Sequence, residues 1–144
     1  MLGTPAVAPF KGGCICGAVR YECTAEPVAM LNCHCRTCQK VTGGPYVPVV
    51  LVPSASFKLT RGTLRYHFTE RVKGVDHKRG FCADCGSRIT GAESETPSAM
   101  IGLTASSLDD PSWFRPQYDI FTSHAQLWDV MDPKLPKHRH YPPR

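Results

Sequence analysis

The sequence lacks any long apolar segment, and its longest apolar run, VPVVLVP at positions 47–53, has only seven residues. A membrane-spanning helix needs about 20 such residues, so no membrane partner is predicted. The first residues, MLGTPAVAPFKGG, contain neither a basic stretch nor an apolar segment of signal-peptide length. We therefore expect a cytoplasmic protein, whose cysteines face a reducing environment.

The chain also lacks a concentrated block of charge. Its 17 lysines and arginines exceed its 12 acidic residues, which gives a net charge of +5 that is spread along the sequence. No basic stripe with interleaved aromatic residues is present, so no nucleic-acid partner is predicted. A mild positive field is suited instead to a small anionic ligand.

Long helices are not expected either, because 12 glycines and 13 prolines recur throughout the 144 residues. Short alternating or β-branched stretches predict strands; in TLRYHFTE, for example, Leu64, Tyr66 and Phe68 share one face and predict a half-buried strand. The predicted strands are 17–23, 46–52, 63–70, 75–81, 98–104 and 117–122. Helical turns are expected only within 106–114 and 125–132. This pattern predicts one mainly β domain of antiparallel strands with few short helices.

The eight cysteines are the most informative residues, and most of them occur at spacings typical of metal sites. Two pairs, C-x-C and C-x-x-C, are each followed by a glycine, Gly17 or Gly86, that can adopt the positive φ of a metal-binding turn. A third group places three cysteines within six positions, and Cys23 stands alone as a predicted buried apolar residue. The three groups are Cys14 and Cys16; Cys33, Cys35 and Cys38; Cys82 and Cys85. Two pairs can complete a four-thiolate zinc site, but spacing alone also allows one outer cysteine to complete the middle group.

The motifs GGCICGAVRYEC, NCHCRTCQKVTGGPYVPVV and FTERVKGVDHKRGFCADCGSRI follow one another in the chain, and the segment from 101 to 132 and a closing YPP come after them. In this order they resemble the glutathione-dependent formaldehyde-activating enzyme family, whose domain is shared with centromere protein V. The resemblance implies twisted antiparallel sheets of the beta-tent type around zinc over residues 10–135. Residues 1–9 are then an N-terminal extension and 136–144 an exposed, proline-rich basic tail.

The same resemblance implies two zinc ions per chain. A structural ion is bound by Cys14, Cys16, Cys82 and Cys85, and a catalytic ion by Cys33, Cys35 and Cys38. It further implies a carbon–sulfur lyase-type activity that forms or cleaves S-hydroxymethylglutathione, with glutathione or a similar small thiol as the substrate. The family often has a basic residue in the segment DIFTSHAQLW, where this chain has His124.

Three thiolates on Zn²⁺ carry a net charge of −1, which suits activation of a thiol better than polarisation of a carbonyl. His34 lies between two of these cysteines, and we expect it beside the metal ligands or in solvent rather than on the metal. Arg36, Gln39 and Lys40 are either contacts for the carboxylates of a peptide thiol or solvated surface. Trp113, Phe114 and Trp128 are expected in the core or in a pocket wall. A zinc module that binds a partner without catalysis is the alternative function.

Overall fold

The structure, a computed structural model, describes residues 5–70, 76–94 and 99–143. It contains strands, one α-helix (α1, Arg36–Thr42) and short 3-10 turns at Ser54–Ser56, Ala105–Ser107, Pro111–Trp113 and Thr122–His124. The strands are β1 (Phe10–Gly13), β2 (Arg20–Cys23), β3 (Ala29–Cys33), β4 (Val47–Pro53), β5 (Phe57–Arg61), β6 (Arg65–Glu70), β7 (Asp76–Phe81), β8 (Arg88–Ser94), β9 (Met100–Thr104) and β10 (Tyr118–Ile120).

These strands form two sheets. One has the order β1-β2-β5, and the other has the order β10-β3-β4-β9-β8-β7-β6. Neighbouring strands are antiparallel except β10, which lies parallel to β3. The prediction of a mainly β fold is confirmed. The parallel pair departs from the all-antiparallel expectation because β10 returns to β3 over a long crossover rather than through a hairpin.

The main core lies between the two sheets and follows the two-residue period of their strands. Tyr21 and Cys23 of β2 and Val50 and Val52 of β4 are almost completely buried, and so is Leu103 of β9. Cys23, with no exposed surface, is confirmed as a core residue. Burial of these side chains provides the main favourable term for folding, since each fully buried aliphatic side chain contributes about 1.5–3 kcal/mol.

Six of the strands overlap the predicted ones, but β1, β3, β5 and β8 were not predicted; residues 75 and 98, at the ends of two predicted strands, lie outside the described residues. Helix α1 was also missed. It begins where the Cys35 sulfur accepts the Cys38 N–H at 3.2 Å, and it ends at Gly43, whose φ is 74°. Within 106–114 the structure has 3-10 turns, as expected, whereas residues 125–132 form no helix.

Two predictions of burial were wrong. Of the face predicted to be half-buried, Leu64 packs against the main core, but Tyr66 and Phe68 are 36% and 48% exposed, because β6 is an edge strand of the larger sheet. Trp128 is 64% exposed and is not a core residue. Trp113 and Phe114, in contrast, pack against the main core as predicted.

The C-terminal segment 136–143 is largely exposed, and its backbone is hydrogen-bonded along β10. The Asp119 N–H donates to the Pro136 carbonyl at 3.0 Å, and the His138 N–H donates to the Asp119 carbonyl at 2.9 Å. This pairing places the segment beside the loop that holds the middle cysteines, because β10 is the neighbour of β3. No helix among the described residues is long and apolar enough to cross a membrane.

Candidate functional site

Cys14, Cys16, Cys82 and Cys85 form one cluster, in which all four sulfurs lie within 4.8 Å of one another. The Cys16 sulfur is 3.6 Å from that of Cys14 and 3.8 Å from that of Cys82. A zinc ion with Zn–S bonds of about 2.3 Å in a tetrahedron requires sulfurs about 3.8 Å apart. The four thiols therefore match the composition and the dimensions of a closed zinc site.

The two turns that carry this cluster are alike. Gly17 and Gly86 have φ angles of 82° and 78°, a conformation that favours glycine. In one turn the Val19 N–H donates to the Cys14 sulfur at 3.2 Å, and in the other the Gly86 N–H donates to the Cys82 carbonyl at 2.8 Å. The first turn thus directs an N–H group at a cysteine sulfur, and the bond in the second turn closes the turn that carries Cys82 and Cys85.

Hydrogen bonds favour the ionised form of two of these thiols. Burial acts to raise the pKa of Cys14, but the Val19 N–H and the Cys16 side chain lower it overall. The Ser87 hydroxyl, at 3.2 Å, and the Ser87 N–H lower the pKa of Cys85 to about 5. Because metals bind thiolates rather than thiols, these donors prepare the cluster for a cation.

Cys33, Cys35 and Cys38 form a second cluster, again with all sulfurs within 4.8 Å of one another. Cys33 ends β3, Cys35 caps α1 and Cys38 lies in its first turn, and the Cys33 and Cys38 sulfurs are 3.4 Å apart. In the described part of the chain, no other cysteine, histidine or carboxylate contributes an atom to this group. Among the described residues, the protein therefore brings together three potential metal ligands here.

The three thiols share their protons unequally. Hydrogen bonds from Cys33 and Cys38 hold the pKa of Cys35 well below its ordinary value. The bond to Cys35 and the proximity of Cys38, followed by burial, raise the pKa of Cys33. Because metals bind thiolates rather than thiols, a cation bound at this cluster would have to displace the remaining thiol protons.

His34 is fully buried between two carboxylates. Its Nδ1 lies 2.5 Å from Asp129 Oδ2 and its Nε2 lies 2.8 Å from Asp119 Oδ1. An ionised carboxylate only accepts hydrogen bonds, so both ring nitrogens donate when both carboxylates are ionised. No nitrogen lone pair is then available for a metal. Of the two placements expected for His34, the structure shows the one beside the cysteines and not the one in solvent, and it adds the two aspartates, which sequence reasoning missed.

This network connects the cysteine loop to β10 and to the C-terminal segment. Lys137 donates to Asp119 at 2.8 Å. Burial acts to raise the pKa of Asp119, but the bonds from Lys137 and His34 keep it below its usual range. His34 occupies the loop position between Cys33 and Cys35, so the network holds the backbone of both cysteines.

Gln39 lies inside the protein and contacts the cysteine loop. It is buried, and its amide nitrogen donates to the carbonyls of His34 at 2.8 Å and of His124 at 3.0 Å. Its amide oxygen accepts from Arg36 at 2.6 Å. Gln39 is therefore part of the loop's support, which neither expectation for this residue anticipated, while Arg36 and Lys40 are exposed. His124, at the position where the family often has a basic residue, accepts the Arg36 N–H at 3.3 Å through Nδ1.

A cavity of about 250 Å³ adjoins α1 and contains two arginines that sequence reasoning missed. Its lining residues are Val41, His67, Arg79, Phe81, Gly86 and Arg88. Arg79 is only 5% exposed, although it lies in a strand. Two features of the sequence could have indicated these arginines. Arg79 lies two positions before Phe81 and so on the same face of the strand, and Arg88 lies three positions after Cys85.

Several curated proteins are similar to this chain. It is 28% identical over 127 residues to a protein of Aspergillus terreus and 26% identical over 119 residues to one of Colletotrichum graminicola, and both carry the provisional name glutathione-dependent formaldehyde-activating enzyme. These matches cover 83% and 74% of this chain. It is also 24% identical over 83 residues, or 56% of its length, to an uncharacterized lyase of Schizosaccharomyces pombe. The chain spans only part of these relatives: 65% of the length of the Aspergillus protein, 61% of the Colletotrichum protein and 55% of the Schizosaccharomyces protein.

A crystal structure of a Rhodobacter sphaeroides protein has a similar fold, with a TM-score of 0.52 and 20% identity over 69% of this chain and 87% of that one. The model of one family, described as glutathione-dependent formaldehyde-activating enzyme, matches residues 9–124. This range includes both cysteine clusters, Asp119 and the two arginines of the cavity. The chain belongs to the glutathione-dependent formaldehyde-activating enzyme family.

Proposed function

We propose that the protein is a zinc-dependent enzyme that forms or cleaves the carbon–sulfur bond of a thiol–aldehyde adduct of the S-hydroxymethylglutathione type. Cys33, Cys35 and Cys38 are the ligands of the catalytic ion, and the thiol substrate takes the fourth position. The supporting observation is the second cluster itself, in which three sulfurs converge while His34, between two of these cysteines in the sequence, directs both ring nitrogens at aspartates.

In the proposed reaction the sulfur of glutathione attacks the carbon of formaldehyde. A carbon–sulfur bond forms, the C=O π electrons move to oxygen, and that oxygen takes up the proton lost by the thiol. The reverse reaction returns the proton and expels the aldehyde. A zinc ion bound by the three cysteines would favour loss of the thiol proton and keep the sulfur nucleophilic at neutral pH.

The remaining residues position the cysteines. Hydrogen bonds of His34 to Asp119 and Asp129 hold the loop against β10. The amide of Gln39 joins the loop carbonyl of His34 to that of His124. Fixing the ligands in this way lowers the reorganisation needed when a fourth ligand binds or leaves.

We assign the four-cysteine cluster a structural role. It connects the turn before β2 to the turn between β7 and β8, and so joins the smaller sheet to the larger one. A metal ion there would contribute directly to folding free energy. All eight cysteines are free, and we place the protein in a reducing compartment such as the cytoplasm.

The alternative, a zinc module that binds a partner protein, is favoured by one observation. Leu127, Trp128 and Val130 are exposed around the buried Asp129, and so lie next to the support of the cysteine loop. An exposed apolar group of this kind is common where proteins meet. A module has no need for a metal with only three protein ligands, however, so the enzyme remains the preferred function.

Exchange spectroscopy with ¹³C-formaldehyde tests the enzymatic function, because formaldehyde and thiols also combine without a catalyst. The protein should accelerate exchange of label between formaldehyde hydrate and S-hydroxymethylglutathione well above the uncatalysed rate. Cys35→Ser should abolish the acceleration, whereas Cys23→Ala, which removes a cysteine outside both clusters, should retain it. An exchange rate that equals the uncatalysed rate, in protein shown to hold zinc, would leave the interaction module as the better account.

A further inference from the structure

Two guanidinium groups lie together in the cavity beside α1. Arg79 comes from β7 and Arg88 from the start of β8, and the two strands are neighbours in the larger sheet. Partial burial and, after it, the proximity of Arg79 lower the pKa of Arg88 to about 10. Arg79 is buried and Arg88 is partly buried, and two adjacent cations removed from water in this way are unfavourable unless an anion accompanies them.

The hydrogen-bonding capacity of both arginines is only partly used. Arg79 donates to the Thr69 hydroxyl through Nη1, and Arg88 donates to the Thr90 carbonyl at 2.7 Å through Nε. The buried Arg79 Nε and Arg88 Nη1 have no hydrogen-bond partner. In the described parts of the chain, no carboxylate lies within 4.0 Å of either guanidinium. An arginine offers five N–H donors in a planar fork, which matches the two oxygens of a carboxylate.

The cavity is next to the three-cysteine cluster. Val41, in its wall, lies three positions after Cys38 in α1, and residues at this spacing are neighbours on a helix surface. Arg79 and Arg88 line this same cavity together with Val41. A molecule whose sulfur reaches the cysteines can therefore place a second group between the arginines.

We propose that Arg79 and Arg88 form a carboxylate-binding subsite that selects thiols carrying a carboxylate, an inference that rests on the proposed function of the three-cysteine cluster. The thiol would bind through sulfur at the metal and through its carboxylate at the two guanidinium forks. Gln39, Arg36 and Lys40 were the residues expected to contact substrate carboxylates. Gln39 is buried in the support of the cysteine loop, and the proposed subsite contains none of the three.

A competing role for the arginines is neutralisation of the cysteines alone. Zinc and three thiolates carry a charge of −1, which is smaller than the combined charge of +2 on the two arginines. A bound substrate thiolate would bring the centre to −2, so charge balance alone does not distinguish the two roles, but neutralisation leaves the partnerless nitrogens of both arginines unexplained. The two roles differ in their consequences, because neutralisation affects every thiol equally whereas a subsite affects only thiols that carry a carboxylate.

Calorimetric titration of the zinc-loaded protein with 3-mercaptopropionate and 2-mercaptoethanol separates the two roles. For each protein, the affinity for mercaptopropionate is divided by the affinity for mercaptoethanol. The difference in acidity between the two thiols is the same for every variant, so it cancels when these ratios are compared. Arg88→Gln and Arg79→Gln should each reduce the preference for mercaptopropionate by about 10- to 100-fold, the range for a buried hydrogen-bonded charge pair. Arg88→Lys should also reduce it, since lysine keeps the charge but loses the fork.

Arg139→Gln is the matched control, because it removes one positive charge from an exposed position outside the cavity. It should leave the ratio unchanged. A ratio in Arg88→Gln and Arg79→Gln equal to that of the control, in protein with full zinc content, would overturn the subsite.

Glutarate, which has carboxylates but no thiol, separates failure of the subsite from failure of the proposed function. It should bind the wild-type protein and lose at least about tenfold in affinity in Arg88→Gln. If glutarate binds in this Arg88-dependent way while neither thiol binds, the subsite stands and the thiol function fails. If glutarate does not bind and neither thiol shows an arginine-dependent affinity, the subsite is wrong.

Discussion

Replacement of His34 by alanine should strongly destabilise the protein. The side chains of His34 and Asp129 have no exposed surface, and that of Asp119 has only 2%. Asp119 would keep Lys137, but Asp129 would lose its partner, and its other oxygen already has none. Removing one member of a buried charge pair costs about 3–5 kcal/mol, which is a large part of the 5–15 kcal/mol that stabilises a typical domain.

For a chain of this length, that loss corresponds to a decrease in melting temperature of roughly 10–15 °C. Thermal unfolding in saturating zinc measures it. His124→Ala is the matched control, because it removes an exposed histidine that accepts one hydrogen bond, from Arg36 at 3.3 Å. The control should cost about 1 kcal/mol or less.

A double-mutant cycle tests the cause of the destabilisation. Asp129→Asn removes the charge that His34→Ala leaves unpaired, so the double variant should be more stable than the sum of the single effects predicts, by about 0.5–3 kcal/mol. The reasoning would be refuted if His34→Ala melted within about 2 °C of His124→Ala, or if the two single effects simply added.

Three further results are expected. Elemental analysis of protein purified without chelator should give close to two zinc ions per chain, and one ion in well-folded protein would contradict the assignment of two sites. Cys82→Ser should prevent stable folding, because the first cluster joins the two sheets. Cys35→Ser should lose one zinc ion and still unfold cooperatively. Equal melting temperatures of the two variants would argue against this difference. Because folding lowers the pKa of Asp119, its carboxylate stabilises the protein above the unfolded pKa of about 3.9, and this contribution disappears as the pH falls through the lower, folded value. The stability difference between wild type and Asp119→Asn should therefore be constant above about pH 5 and shrink below about pH 4, and a difference that grows in acid would show the opposite linkage.

The cysteine spacing allowed much of the candidate site to be predicted, because ligands two or three positions apart meet through local turns. Gly17 and Gly86 have the positive φ angles that their positions after the cysteine pairs suggested. Which cysteine pairs combine into one site cannot be predicted from local spacing, because it depends on how the two sheets approach each other. For that grouping the sequence alone left alternatives open, and the family resemblance supplied the arrangement.

The features that were missed depend on contacts between distant residues. The partners of His34 lie 85 and 95 positions away, and no local pattern indicates them. Strand β8, RITGAES, has weak strand propensity and forms because β7 and β9 pair with its two sides. Strand β6 has the alternation of a half-buried strand, but its position at the sheet edge leaves Phe68 exposed.

The claim that a substrate thiol completes the three-cysteine centre is tested most directly by titrating the cobalt-substituted protein with glutathione and with S-methylglutathione. Glutathione should change the sulfur-to-cobalt charge-transfer bands and release a proton, with an affinity that rises with pH below the thiol's pKa of about 8.5. S-methylglutathione, which has no thiol proton to lose, should bind much more weakly. An unchanged spectrum with glutathione, or equal binding of the methylated compound, would contradict the account.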